Sequence, residues 1–88
     1  MALDFAWDHD GPVLFSVEHG ELHALEDVLR AFERRTGVDL DPYGDGRLAR
    51  ASRTLLHAML TEHGGDTALS EGLSRTLDRD EDLHWIGD

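Results

Sequence analysis

Eighty-eight residues carry 19 Asp and Glu against 8 basic side chains, all of them arginine, for a formal net charge of −11. That field repels polyanions and argues against nucleic-acid binding. The absence of cysteine removes disulfides, thiolate chemistry and zinc–thiolate sites, and no run approaches the roughly 18 apolar residues of a membrane span.

Leu3, Phe5 and Trp7 alternate with Asp4, Ala6 and Asp8, the period of two of a strand with one buried face. Asp8-His9-Asp10-Gly11 supplies turn chemistry, and Val13 to Val17, entered through Pro12, reads as the second arm of a hairpin. Over residues 20–36 the spacing changes to Leu22, Leu25, Val28, Leu29 and Phe32, the stripe of an amphipathic helix. Acids crowd its first half and Arg30, Arg34 and Arg35 its second, which complements the helix dipole. Gly37 is its expected stop, followed by Val38 as the apolar contact of a Schellman cap.

Val38-Asp39-Leu40 is a candidate short strand, and residues 41–46 read as a loop, with Asp45 as the expected N-cap of a second helix over residues 47–63. Leu69, Leu73 and Leu77 recur every four residues in a third helix over residues 66–77, where Gly72 costs up to about 1 kcal/mol relative to Ala. A charged run, Asp78 to Asp82, precedes Leu83-His84-Trp85-Ile86, an apolar cluster expected to dock on the core or form an edge strand. The expected fold is therefore α+β. One small domain over residues 1–88 would have an N-terminal β-hairpin, extended by residues 38–40 or 83–86, packed against about three α-helices.

The constellations that could carry chemistry fail on spacing. Counting from Asp39 as an EF-hand loop puts Tyr43 at position 5 and Arg50 at position 12, where a bidentate Glu is required. His19 and His23 have metal-pair spacing, but Gly20 argues against His19 lying in the helix, and a zinc site needs three or four converging ligands. No serine sits in a nucleophile elbow and no glycine-rich phosphate loop occurs. The expectation is a non-enzymatic protein with no cofactor and no metal. Arg47, Arg50 and Arg53 stand one turn apart, a stripe expected to pair with carboxylates within the fold.

Binding remains. Residues 1–29 hold seven acids and no arginine, residues 30–53 six arginines and four acids, and residues 54–88 eight acids and two arginines, so both ends are acidic and the middle mildly basic. Asp8, Asp10, Asp39, Asp41, Tyr43 and Asp45 are the candidate partner contacts, because two acidic turns present them without disturbing a core; Trp85 is a second candidate exposed aromatic. Electrostatic complementarity would speed association with a basic protein and exclude wrong partners. The plain alternative is that surplus charge keeps a small protein soluble.

Asp4, Asp8 and Asp10 with no basic residue among the first ten are the opposite of a signal-peptide start, so a soluble, cytoplasmic protein is expected. Lysine, asparagine and glutamine are missing, a bias that suggests a GC-rich bacterial coding genome. In size, acidity, composition and layout (hairpin, helix from Glu21 to Thr36, then Thr36-Gly37-Val38-Asp39-Leu40-Asp41-Pro42-Tyr43-Gly44) the chain resembles the small acidic immunity proteins that bacteria encode beside polymorphic or contact-delivered toxins. That resemblance implies an antitoxin that binds its cognate toxin, such as a nuclease with a basic surface, and blocks its active site or substrate access. A phage-encoded inhibitor or nucleic-acid mimic acting on a DNA-binding protein is the alternative, and a small metal-binding domain a further one.

Overall fold

Four strands and four helices make up the computed structural model, which describes residues 2–87. In chain order they are β1 (Ala2–Ala6), β2 (Val13–Glu18), α1 (His19–Ala24), α2 (Glu26–Thr36), β3 (Asp45–Leu48), α3 (Arg50–His63), α4 (Ala68–Ser74) and β4 (Leu83–Ile86). The strands form one antiparallel sheet in the order β2-β1-β4-β3. The fold is α+β with an N-terminal hairpin, as the alternation of Leu3 and Phe5 with polar neighbours implies.

One face of the sheet is apolar. Leu3 pairs with Val17 and Phe5 with Phe15, and the two Phe rings stack at 4.6 Å. On the other side of Phe5 lies Trp85, itself opposite Gly46, while Leu83 faces Leu48. Against this face pack Leu22 and Leu25 of the α1 region, Phe32 of α2, Leu56 and Leu60 of α3, and Leu69 and Leu73 of α4, giving one continuous core. The opposite face carries Asp4, Ser16, Asp45, Arg47, His84 and Ile86, none of them buried. Register shifts between Phe5 and Ala6, leaving Leu14 as an extra residue on β2 and turning Val13 and Leu14 outward.

Several expectations are corrected. Residues 38–40 form no strand; the third strand is Asp45–Leu48, so Asp45 starts a strand and is not a helix N-cap. Ala49 holds the N-cap position of α3 without a side-chain bond. Residues 83–86 form an interior strand paired on both sides, not an edge, which buries Trp85. The helix expected over residues 20–36 is divided at Leu25, whose φ of −96° and ψ of 11° depart from helical values although its N–H still reaches Glu21 O and its carbonyl still accepts the Leu29 N–H, both at 3.0 Å; α1 packs on β2 and α2 on α3. His19 begins α1 despite the following glycine. Gly37, at φ 77°, closes α2 in the left-handed conformation that glycine adopts without Cβ strain.

Gly72 is more than a weak helix residue. A Cβ there would lie 2.4 Å from Cδ2 of Phe15, so α4 approaches β2 only because this position has no side chain. Residue type at the α4 N-terminus matters as much. Thr67 Oγ1 accepts the Ser70 N–H at 3.1 Å, and the carboxylate of Glu21, distant in sequence, accepts the Ala68 and Leu69 N–H groups at 3.1 and 3.0 Å. A carboxylate on exposed helix amides at the positive end of the dipole stabilises both partners.

Arg53 is fully buried. Instead of a carboxylate it takes backbone oxygens, donating to Leu48 O (2.7 Å), Glu81 O (2.8 Å), Thr76 O (3.1 Å) and Arg79 O (2.6 Å). The guanidinium thus ties the end of β3, the end of the α4 region and the charged segment before β4 together. Desolvation lowers its pKa from the ordinary arginine value, yet arginine keeps its proton in proteins. Trp7 lies beneath two cations, 5.4 Å from Arg53 and 4.3 Å from Arg79. Of the expected arginine stripe, Arg50 pairs with a carboxylate, Asp80, at 3.0 Å.

Candidate functional site

The acidic turns are where the sequence puts them, and their side chains fall into two groups. In the first turn the Gly11 N–H closes on Asp8 O at 3.0 Å, leaving Asp8, His9 and Asp10 exposed. His9 reaches across to β3, with Nε2 3.1 Å from Asp45 Oδ2 and Nδ1 3.5 Å from Asp10 Oδ1. Hydrogen bonding to Asp45, then to Asp10, raises the His9 pKa above 6.5. The His9 contact, helped by the Gly87 N–H, lowers that of Asp45. Asp8 is not part of this triad.

The second group is the loop from Asp39 to Gly44. Asp41 Oδ1 accepts the Tyr43 N–H at 2.9 Å, an Asx turn, and Gly44 N–H closes on Asp41 O at 3.2 Å. That turn spends the Asp41 carboxylate on local structure and pushes Tyr43 out, 69% exposed. The loop is held against the sheet by Gly87, whose N–H donates to Gly44 O at 2.9 Å. Tyr43 meets His19 edge-on at 5.5 Å.

Between this loop and the α1–α2 pair lies a groove of about 420 Å³. Its apolar lining is Leu22, Leu29, Leu40 and Pro42, joined by the rings of Tyr43 and His19. Its rim is charged, with Glu26, Glu33 and Asp39 against Arg30. Arg30 is taken by Glu26, one turn away in α2. The carboxylates of Glu33 and Asp39 make no hydrogen bond or ion pair among the described residues. His19 Nε2 is shut off from solvent with no hydrogen-bond partner among the described residues.

Of the candidate contacts, Asp39 and Tyr43 therefore line the groove, Asp10 and Asp45 meet through His9, Asp41 braces the loop, and Asp8 stands apart. Sequence reasoning missed the groove because Leu22 and Leu29, seven residues apart on one helix face, look identical to core positions; only the packing of the 39–43 loop shows that they flank an open cleft. Among the described residues no group of three or more His, Asp or Glu side chains converges as a metal site would require, although His19 and His23 both line the groove. None of the described helices is long and apolar enough to cross a membrane. Compared with known proteins, the chain matches no family model, no curated sequence and no solved structure.

Proposed function

We infer that this chain is a non-enzymatic inhibitor, an immunity protein that neutralises a cognate bacterial toxin in the cytoplasm by direct binding. The observation that carries this reading is the surface around the 39–45 loop: an exposed tyrosine beside an apolar groove, with uncompensated carboxylates on its rim. Buried aromatic and arginine anchors dominate protein interfaces, and an exposed tyrosine that loses little rotamer entropy on binding is the residue type such a surface uses. The net charge of −11 selects a basic protein surface as partner and disfavours nucleic acid.

The test is a pull-down from the source organism with the neighbouring genes inspected for a toxin, followed by stopped-flow association of the captured partner at several salt concentrations. The expected result is a complex whose association rate falls with salt, and falls further when Asp39, Asp41 and Asp45 are all reversed to Lys. Failure to form a complex at low salt would remove the inhibitor reading. An unchanged association rate in the triple variant would move the contact surface off this loop.

A further inference from the structure

We propose that the groove between α1–α2 and the 39–43 loop is an arginine socket: it receives one arginine side chain from the partner's surface, and the acidic turns contact that partner around it. This rests on the reading of the chain as a protein-binding inhibitor and names the group that the site takes.

Size comes first. A groove of about 420 Å³ lies at the low end of the roughly 300–1,000 Å³ of ligand pockets, whereas a specific protein interface buries roughly 800 Å² per partner. The groove is thus the seat of an anchor side chain within a larger contact. Anchors at interfaces are enriched in Trp, Tyr and Arg, and the rim discriminates among them. Three carboxylates against one arginine leave two negative charges, and Glu33 and Asp39 are the ones with no partner among the described residues. An incoming tryptophan or tyrosine would cover these carboxylates without neutralising them, at a desolvation cost. A cation would pair with them.

Between the two cations the apolar lining decides. Leu22, Leu29, Leu40 and Pro42 suit the methylene stem of a long side chain whose charged head stays at the rim. Both lysine and arginine have such a stem. Arginine adds a planar fork able to bridge separate carboxylates, is less strongly hydrated than an ammonium, and stacks on aromatic faces. Tyr43, 69% exposed and part of the groove lining, provides such a face. The protein's own Arg30 shows the chemistry in miniature, held on the same rim by Glu26.

The probe is N-acetyl-arginine N-methylamide, with its citrulline counterpart as the uncharged isostere, titrated into the full chain and followed by ¹H–¹⁵N NMR at low salt. Saturable shifts clustered at Leu22, Leu29, Leu40 and Tyr43 are expected for arginine. The citrulline probe should bind at least about tenfold more weakly, as should arginine to the E33Q/D39N double variant. Both substituted side chains are exposed and bond to nothing described, so the variant keeps its fold. No saturable shift up to roughly 50 mM probe, equal binding of citrulline, or shifts centred on another acidic segment such as Asp78 to Asp82 overturns the socket. Toxin affinity unchanged in the double variant overturns the socket and leaves the inhibitor reading standing. The arginine probe seated in the groove, with no toxin bound by the chain, does the reverse.

Discussion

Replacing Arg53 with alanine should be as damaging as truncating a large core side chain. The guanidinium is fully buried and donates to the carbonyls of Leu48, Thr76, Arg79 and Glu81 at 2.6–3.1 Å. A hydrogen bond to a charged group contributes about 1.5–3 kcal/mol, and four would sum to more than the whole is worth, because they share one donor group and are not additive. Arg79 and Glu81 lie on an exposed segment, where water can replace the lost donor; Leu48 and Thr76 are buried, and while Thr76 O keeps the Arg79 N–H at 3.3 Å, Leu48 O would lose the donor that Arg53 supplies. One orphaned buried acceptor, a weakened second one, lost packing on Trp7 and a cavity together give a loss on the order of 3–5 kcal/mol. At about 0.05–0.15 kcal/mol per residue the domain has only about 4–13 kcal/mol in all.

Urea unfolding followed by far-UV circular dichroism measures the loss, with tryptophan fluorescence, to which Trp7 under Arg79 at 4.3 Å and the buried Trp85 both contribute, as a second probe. R53K keeps the charge but not the fork geometry and should retain part of the stability, losing about 2 kcal/mol. A loss below about 1 kcal/mol for R53A, at unchanged denaturant slope, would refute the argument that this side chain holds the segment before β4 in place.

Two further outcomes follow from particular contacts. His9 is raised above 6.5 by Asp45 and Asp10, so its contribution is complete below the unfolded value and is lost as pH rises through the folded one. Asp45 is lowered from 3.8 by His9, so its contribution is present above the unfolded value and is lost as pH falls through the folded one. The bond between the first turn and β3 is thus strongest between about pH 4 and pH 6.5. NMR titration should show His9 returning toward 6.5 in D45N, and an unmoved His9 would break the link. G72A and G20A should differ in sign. The first drives a Cβ to 2.4 Å from Phe15 while the second meets nothing within 4 Å, so thermal melts should show G72A destabilised by about 1–3 kcal/mol and G20A neutral or stabilised by up to about 1 kcal/mol. Equal effects would mean that helix propensity, not the Phe15 contact, governs position 72.

The hairpin, the helix stripes, the Gly37 stop and the exposed acidic turns are legible in the amino-acid order, since each is written in a short window. Period-two alternation, i, i+3, i+4 spacing, and Gly, Pro and Asp chemistry act over a few residues and need no knowledge of the rest of the chain. Tertiary structure alone decided the rest. Leu83-His84-Trp85-Ile86 has the same local pattern whether it lies at an edge or inside a sheet; it became an interior strand because β1 and β3 leave a four-residue slot that buries Trp85 over Gly46. Arg53 reads in the sequence as one more surface arginine; the fold surrounds it with the nearby carbonyl of Leu48 and three from the distant segment Thr76 to Glu81. Asp45 read as a helix cap and became the first residue of a strand, held by His9 from another turn. The groove is of the same kind: Leu22 and Leu29 belong to the helical stripe and Leu40 to the loop, and only the way the 39–43 loop folds back beside α1 and α2 makes these core-packed leucines line an opening as well. Contacts between residues far apart in sequence leave no trace in any window of it, and these are the contacts that make the candidate site.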